Sequence, residues 1–243
     1  MFIRKKLTAE VPDTNAFSFG LEEFSDENSP DNLYYGYDSL HDFKEGRRQV
    51  LLNQWSPTEF CQSKDHHNLK PLEHSADATE VYNICPYTVE WLNRVDSPKY
   101  KYIFYPFHKD DIPEPAEKTH DVCYFGGLHS RYHEDMLRSL LKFNYCYMTM
   151  THGINGRTAH YLPVATHTDL SHRDKIIQVG KCRISVCCNI VPVEPQHIQN
   201  IKNNKEWESC KAFSHLDKGI MPQFKSRMHE AAMARTLNLV HRD

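Results

Sequence analysis

Between Asp121 and Lys142 the chain reads DVCYFGGLHSRYHEDMLRSLLK, and no other stretch restricts the fold so closely. Val122 to Phe125 is a short apolar run of strand type. Gly126 and Gly127 make a turn, and Tyr132, Met136, Leu137, Leu140 and Leu141 then recur at helical spacing on one predicted face. A strand, a two-glycine turn and a helix form one βα unit. Glycines let the chain bend tightly there and let a ligand approach the backbone. The helix N-terminus aims unpaired N–H groups and the positive end of its dipole at whatever fills the turn, which favours an anion such as phosphate. The same sequence of elements is also ordinary connecting chemistry in α/β proteins, so both readings stand at this point.

The rhythm recurs along the chain. QVLLNQW from Gln49 reads as a strand, SPTEFC as a turn entering a short helix, and TEVYNIC as a second strand followed by the helix PYTVEWLN, with Pro86 in its first turn. KYKYIFYPF is a third strand, and the polar, proline-bearing HKDDIPEPAEKTH suits a linker. Residues 1–48 are acidic and turn-rich, without a sustained period. Beyond the linker come strand 122–125, helix 132–142 and strand 145–150. A helix from a Ser171–Asp174 capping box to about Val179 and the apolar strand RISVCCNI (183–190) follow. Residues 191–222 form a long polar excursion, and FKSRMHEAAMAR then gives a helix with Phe224, Met228, Ala231 and Ala232 on one side, before the final strand TLNLV. This alternation predicts parallel sheets with covering helices, a Rossmann-like α/β architecture. It divides as an N-terminal α/β domain over 1–106, a linker over 107–120 and a C-terminal domain over 121–243. A last strand with no helix after it points to a truncated or compact version of a larger fold.

The 243 residues, with 40% hydrophobic and 12% aromatic content, are enough to fill a core. A formal charge of -3, with both signs interspersed, argues against nucleic acid or an anionic membrane as partner. MFIRKKLTAE has no apolar run after its charges, and no window approaches a spanning length. A soluble cytoplasmic protein is expected. The eight cysteines include no C-x-x-C, and several lie in apolar strand-like runs, which predicts reduced, buried thiols.

In open parallel sheets ligands bind beyond the carboxyl ends of the strands. The residues there are Gly126, Gly127, His129 and Arg131 after one strand, Thr151, His152, Asn155 and Arg157 after the next, and Asn189 after the third. Lys225, Arg227 and Glu230 open the helix beyond the polar excursion. Lys and Arg suit diphosphate oxygens, and a carboxylate suits the two hydroxyls of a ribose. A solvated amphipathic face is the alternative, and on either reading Arg227 and Glu230 are expected on the exposed side of their helix.

FKSRMHEAAMARTLNLVHRD resembles the R-x-x-E-A helix and following strand of nucleotide-sugar glycosyltransferases of the two-domain GT-B fold, especially the CgeB-like ones. DVCYFGG resembles the first strand and glycine turn of their donor-binding domain, and YIFYPFHKDDIPEP their interdomain crossing, so the likeness covers about residues 100–243. It implies a GT-B architecture with a reduced N-terminal, acceptor-side domain. The donor would be a nucleotide sugar bound as substrate, with no separate cofactor, and the acceptor a glycan, lipid or protein. It also implies donor contacts from Glu230 to ribose, from Arg227 and Lys225 to diphosphate, and at Gly126 and Gly127; Arg131 and Asn189 join the donor-binding candidates by their position after strands. Many relatives carry a second glutamate eight residues before the ribose-binding one, and here Pro222 stands there.

Glycosyl transfer needs charge stabilisation on the leaving diphosphate, which cations and a helix N-terminus supply without a metal. An inverting reaction adds a general base, for which Glu59 is the first candidate and His129 the second. A metal-dependent GT-A enzyme would carry Asp-x-Asp, and no two aspartates are separated by one residue. His129 and His133 have the i, i+4 spacing of a metal pair, which keeps a His-ligated hydrolase as an alternative. A non-catalytic nucleotide-sugar-binding module is the other.

Overall fold

The computed structural model describes the backbone of residues 2–4, 33–37, 49–53, 79–95, 99–103, 112–202 and 215–240, and most side chains from residue 79 onward. Grouped by Cα proximity the chain forms two compact units. One comprises Met1–Pro12, Ala16–Phe107 and Ile190–Phe224, and the other Asp13–Asn15, His108–Asn189 and Lys225–Asp243.

The first unit carries a five-stranded parallel sheet whose order follows the chain: β1 (Phe2–Arg4), β2 (Leu33–Tyr37), β3 (Gln49–Asn53), β4 (Glu80–Asn83) and β5 (Tyr100–Tyr102). Helix α1 (Pro86–Val95) starts where the Asn83 side chain accepts from the Cys85 N–H at 2.6 Å, and it buries Trp91 and Leu92. Asn93 grips Tyr100 through both its donor and its acceptor, tying the helix to the next strand. The expected strands at 49 and 80 and the helix at 86 are thus present. Glu59 lies outside the described residues. The stretch 191–222 is more than a polar excursion, since it holds β10 (Ile190–Pro192) paired antiparallel with β11 (Ile220–Pro222), and helix α5 (Pro195–Lys202).

The second unit is α/β and Rossmann-like. Its elements are β6 (His120–Phe125), α2 (Arg131–Leu140), β7 (Tyr145–Thr149), α3 (Gly156–His160), β8 (His167–Thr168), α4 (His172–Gly180), β9 (Cys182–Cys187), α6 (Arg227–Met233) and β12 (Leu237–Val240). The sheet is parallel in the order β12-β9-β6-β7-β8. Counted within the unit this is 3-2-1-4-5, in which the strand order reverses between β6 and β9.

Alternation along β6 sends Val122 and Tyr124 to one face and Cys123 and Phe125 to the other, and all four are buried. Val122 and Tyr124 join Leu128, Leu137, Leu140, Tyr147 and Tyr161 in a core cluster beneath α2. Each fully buried side chain of this size contributes about 1.5–3 kcal/mol. Tyr124 faces Tyr147 in register across β6 and β7, and their rings stack at 5.9 Å. Lys118, just before β6, donates to the carbonyls of Gly180 and Arg235.

Three details differ from the sequence pattern. Tyr132 is 48% exposed, and His133 turns inward beside Leu137 and Leu140. RISVCCNI is not one strand: β9 ends at Cys187, and Ile190 opens β10, which pairs with β11 instead. The buried residues of α6 are Glu230, Ala231 and Met233, whereas Ala232 faces solvent.

Candidate functional site

The strand-order reversal lies at the carboxyl ends of β6 and β9, where open α/β sheets bind ligands, and the second unit places polar groups there. Gly126 follows β6 at φ +117°, a conformation that L-residues rarely adopt. Its N–H donates to the Met148 carbonyl at 2.9 Å, so the turn is pinned to β7. Where a Cβ would stand at Gly126, the Arg227 guanidinium lies at 2.0 Å, and this site needs glycine on both counts. Arg227 is half-buried. Its Nη1 donates to the Tyr124 hydroxyl at 3.3 Å and its guanidinium lies 5.4 Å from the Tyr124 ring centre. Among the described residues no carboxylate lies within ion-pair distance of it, though Glu230 acts on its charge from farther off. The Tyr124 hydroxyl in turn donates to the Gly127 carbonyl at 2.8 Å.

The β6–α2 turn is held from the side by α3. Leu128 N–H donates to Thr158 Oγ1 at 2.8 Å, and Thr158 N–H donates to Asn155 Oδ1 at 2.9 Å. That bond orients the Asn155 amide, leaving Nδ2 toward His129 Nδ1 at 3.4 Å. The network therefore assigns the His129 ring proton to Nε2, on the side that packs against Gly127. Ser130 precedes α2 but its hydroxyl meets His133 Nδ1 at 2.7 Å instead of capping the helix. Among the described residues no acceptor meets the Arg131 and Tyr132 N–H groups, which face outward at a positive dipole end.

The local field is positive. Burial lowers the His129 pKa, and Arg227 and Lys225 lower it further. Burial pushes His133 down to about 3, with Arg227, Lys225 and His129 adding to the effect. Both imidazoles are neutral at pH 7. Burial raises the Tyr124 hydroxyl despite Arg227, and raises the Cys187 thiol to about 11, so neither supplies a counter-charge.

Glu230 corrects an expectation. It is 5% exposed rather than on the solvent side of its helix, because Lys175 of α4 donates to its Oε1 at 2.8 Å and His172 Nδ1 lies at 3.6 Å. Lys175 also lies 5.6 Å from the Phe125 ring centre, beside the end of β6. Asn189 is buried, accepting from the Cys187 thiol at 3.1 Å and donating to Met228 Sδ at 2.9 Å.

No family model and no curated protein matches the chain.

Of the sequence candidates, Gly126, Gly127, His129, Lys225 and Arg227 come together beyond the end of β6, Glu230 acts on Arg227 from farther off, and Asn189 reaches Met228 of the same helix. Arg131 does not join them. Its side chain is 84% exposed and pairs with Asp135 at 3.7 Å, because position N1 of α2 points it away from the turn. The His129 and His133 rings meet edge-on at 6.1 Å, and Ser130 occupies His133 Nδ1, so the i, i+4 pair does not converge on a cation. Among the described residues no group of three His, Cys, Asp or Glu side chains is placed to hold a metal ion. No helix among them is long and apolar enough to cross a membrane. Tyr124, Thr158, Lys175 and His172 were missed by the sequence reading. Tyr124 carried a signal, a hydroxyl within an apolar strand one residue from its carboxyl end. Lys175 carried none, since one lysine in a polar first turn looks like any other.

Proposed function

We propose that the chain is a metal-independent glycosyltransferase of GT-B type, in which the unit built around β6 holds the nucleoside-diphosphate part of a nucleotide-sugar donor. The observation that carries this reading is Arg227, a half-buried cation over Gly126 with no carboxylate within ion-pair distance among the described residues, Glu230 acting on it only from farther off. Taking a charge from water is costly unless a counter-charge arrives, and a diphosphate at the α2 N-terminus supplies one. Arg227, Lys225 and the outward N–H groups of α2 then face the charge that develops on the leaving diphosphate. His129, neutral with its proton on Nε2, donates to a phosphate oxygen in that tautomer. Its service as the acceptor's base requires the other one. Glu59 remains the first candidate for the base, and Glu230 the acceptor of ribose hydroxyls. The acceptor is a glycan, lipid or protein hydroxyl.

A non-catalytic nucleotide-sugar-binding module is the second reading. It is favoured by Pro222, which sits in β11 where related enzymes carry a glutamate for the sugar. A thermal-shift screen of nucleoside diphosphates and nucleotide sugars, with and without EDTA, tests binding. A ligand at about 100 times its dissociation constant stabilises by about 2.7 kcal/mol. Release of free sugar or sugar transfer from the donor that binds supports the enzyme, and binding without either supports the module. Absence of any shift contradicts both.

A further inference from the structure

We infer that Lys175 is a positioning residue that fixes the Glu230 carboxylate to read a vicinal diol, so that the site prefers a ribonucleotide to its 2′-deoxy counterpart. The inference rests on the nucleotide reading of this site. Glu230 sits in the first turn of α6, one turn beyond Arg227, with 6% of its side chain exposed. A carboxylate so enclosed needs a cation beside it, and Lys175, reaching across from the first turn of α4, is that cation at 2.8 Å.

Both neighbours approach the same oxygen. Lys175 Nζ and His172 Nδ1 converge on Oε1, and among the described residues no donor meets Oε2. With 6% of its side chain still exposed, Glu230 keeps Oε2 without a donor among the described residues. An ionised carboxylate only accepts. Its orientation is set from behind by Lys175, and the ammonium is itself seated against the Phe125 ring at 5.6 Å, at the residue before Gly126. An acceptor held rigidly, with one oxygen engaged and one open, recognises a hydroxyl donor and leaves its absence uncompensated. A site built to hydrogen-bond a substrate hydroxyl rejects an analogue that lacks it. If Lys175 is lost, Glu230 is released from this orientation and the preference goes with it.

Calorimetric titration of the intact chain with uridine and guanosine 5′-diphosphates and their 2′-deoxy forms tests this. The wild type is expected to bind one ribonucleotide about tenfold more tightly than its deoxy form, the factor carried by about one hydrogen bond to a charged group. Lys175→Met is expected to bring that ratio to within about twofold of unity while leaving the deoxy affinity nearly unchanged, and Lys175→Arg, which keeps the charge, to restore most of it. Ribo and deoxy affinities that fall together in Lys175→Met would mean a merely structural lysine and would overturn the inference, as would a wild type that does not discriminate. In that last case diphosphate binding still stands. Failure of every diphosphate to bind would instead overturn the nucleotide reading itself.

Discussion

Replacing Gly126 by alanine strikes the candidate site at its narrowest point. Two costs follow from the structure. At φ +117° an L-residue is strained by about 1–3 kcal/mol. The new Cβ would also stand 2.0 Å from Arg227 Nη2, 2.4 Å from Cζ and 2.9 Å from Nε. These are atoms at the far end of a flexible side chain, so the guanidinium retreats rather than the backbone, by about 1.4 Å to reach ordinary contact. That displacement breaks the 3.3 Å bond to Tyr124 and removes the cation from the α2 N-terminus. Loss of one charge-assisted hydrogen bond to a ligand is worth about 2 kcal/mol, or roughly thirtyfold in affinity. Gly126→Ala should therefore melt several degrees lower, at about 2–4 °C per kcal/mol, and bind a nucleoside diphosphate roughly thirtyfold more weakly. Gly127→Ala is the control. The nearest atoms its Cβ would meet are those of the His129 ring at 3.1 Å and Thr158 Oγ1 at 3.4 Å, and it should cost under about 1 kcal/mol. Differential scanning fluorimetry and calorimetric titration read the two effects separately. Wild-type melting and wild-type affinity in Gly126→Ala would refute the reasoning.

Arg227→Ala and Glu230→Ala, on one helix, should both weaken the ligand but differ in stability: the first leaves it within about 0.5 kcal/mol, whereas the second strands Lys175 and costs about 2–4 kcal/mol by urea unfolding, discounted because the lysine is 26% exposed. The depressed His133 predicts an acid limb. Between its unfolded value near 6.5 and its folded value of about 3, the unfolded chain binds a proton that the folded one refuses. Stability therefore falls as pH drops through that window, by up to about 1.4 kcal/mol per unit, and His133→Gln should flatten the slope of melting temperature against pH by about one proton. Thr158→Val removes the acceptor of the Leu128 N–H and should cost about 1–3 kcal/mol, with faster amide exchange at Leu128 as its local signature.

Where a segment's own residues determine its conformation, the sequence was legible. Phe125-Gly126-Gly127 and the apolar spacing of Leu137 and Leu140 define the strand, turn and helix locally, and the structure forms them within one or two residues of the expected bounds. Ser171 caps α4 through the Asp174 N–H, as its spacing implied. What failed were inferences about which face is inside. Glu230 looked like a solvent-facing carboxylate because its partner, Lys175, is 55 residues away in sequence, and His133 read as half of an i, i+4 metal pair although Ser130, three residues before it, takes its Nδ1. The hairpin of β10 and β11 was hidden for the same reason, since its strands are three residues each and lie on either side of a long insertion. Burial of polar groups is a tertiary property, decided by partners that periodicity does not reveal.

The central claim is that Arg227 awaits the diphosphate of a nucleotide. Calorimetric titration of wild type and Arg227→Ala with uridine, guanosine and adenosine diphosphates in the presence of EDTA tests it most directly. The account predicts that one diphosphate binds the wild type, that EDTA leaves this unchanged, and that Arg227→Ala weakens it roughly thirtyfold without loss of fold. Equal affinity in the two proteins, or binding by none of the three, would contradict it.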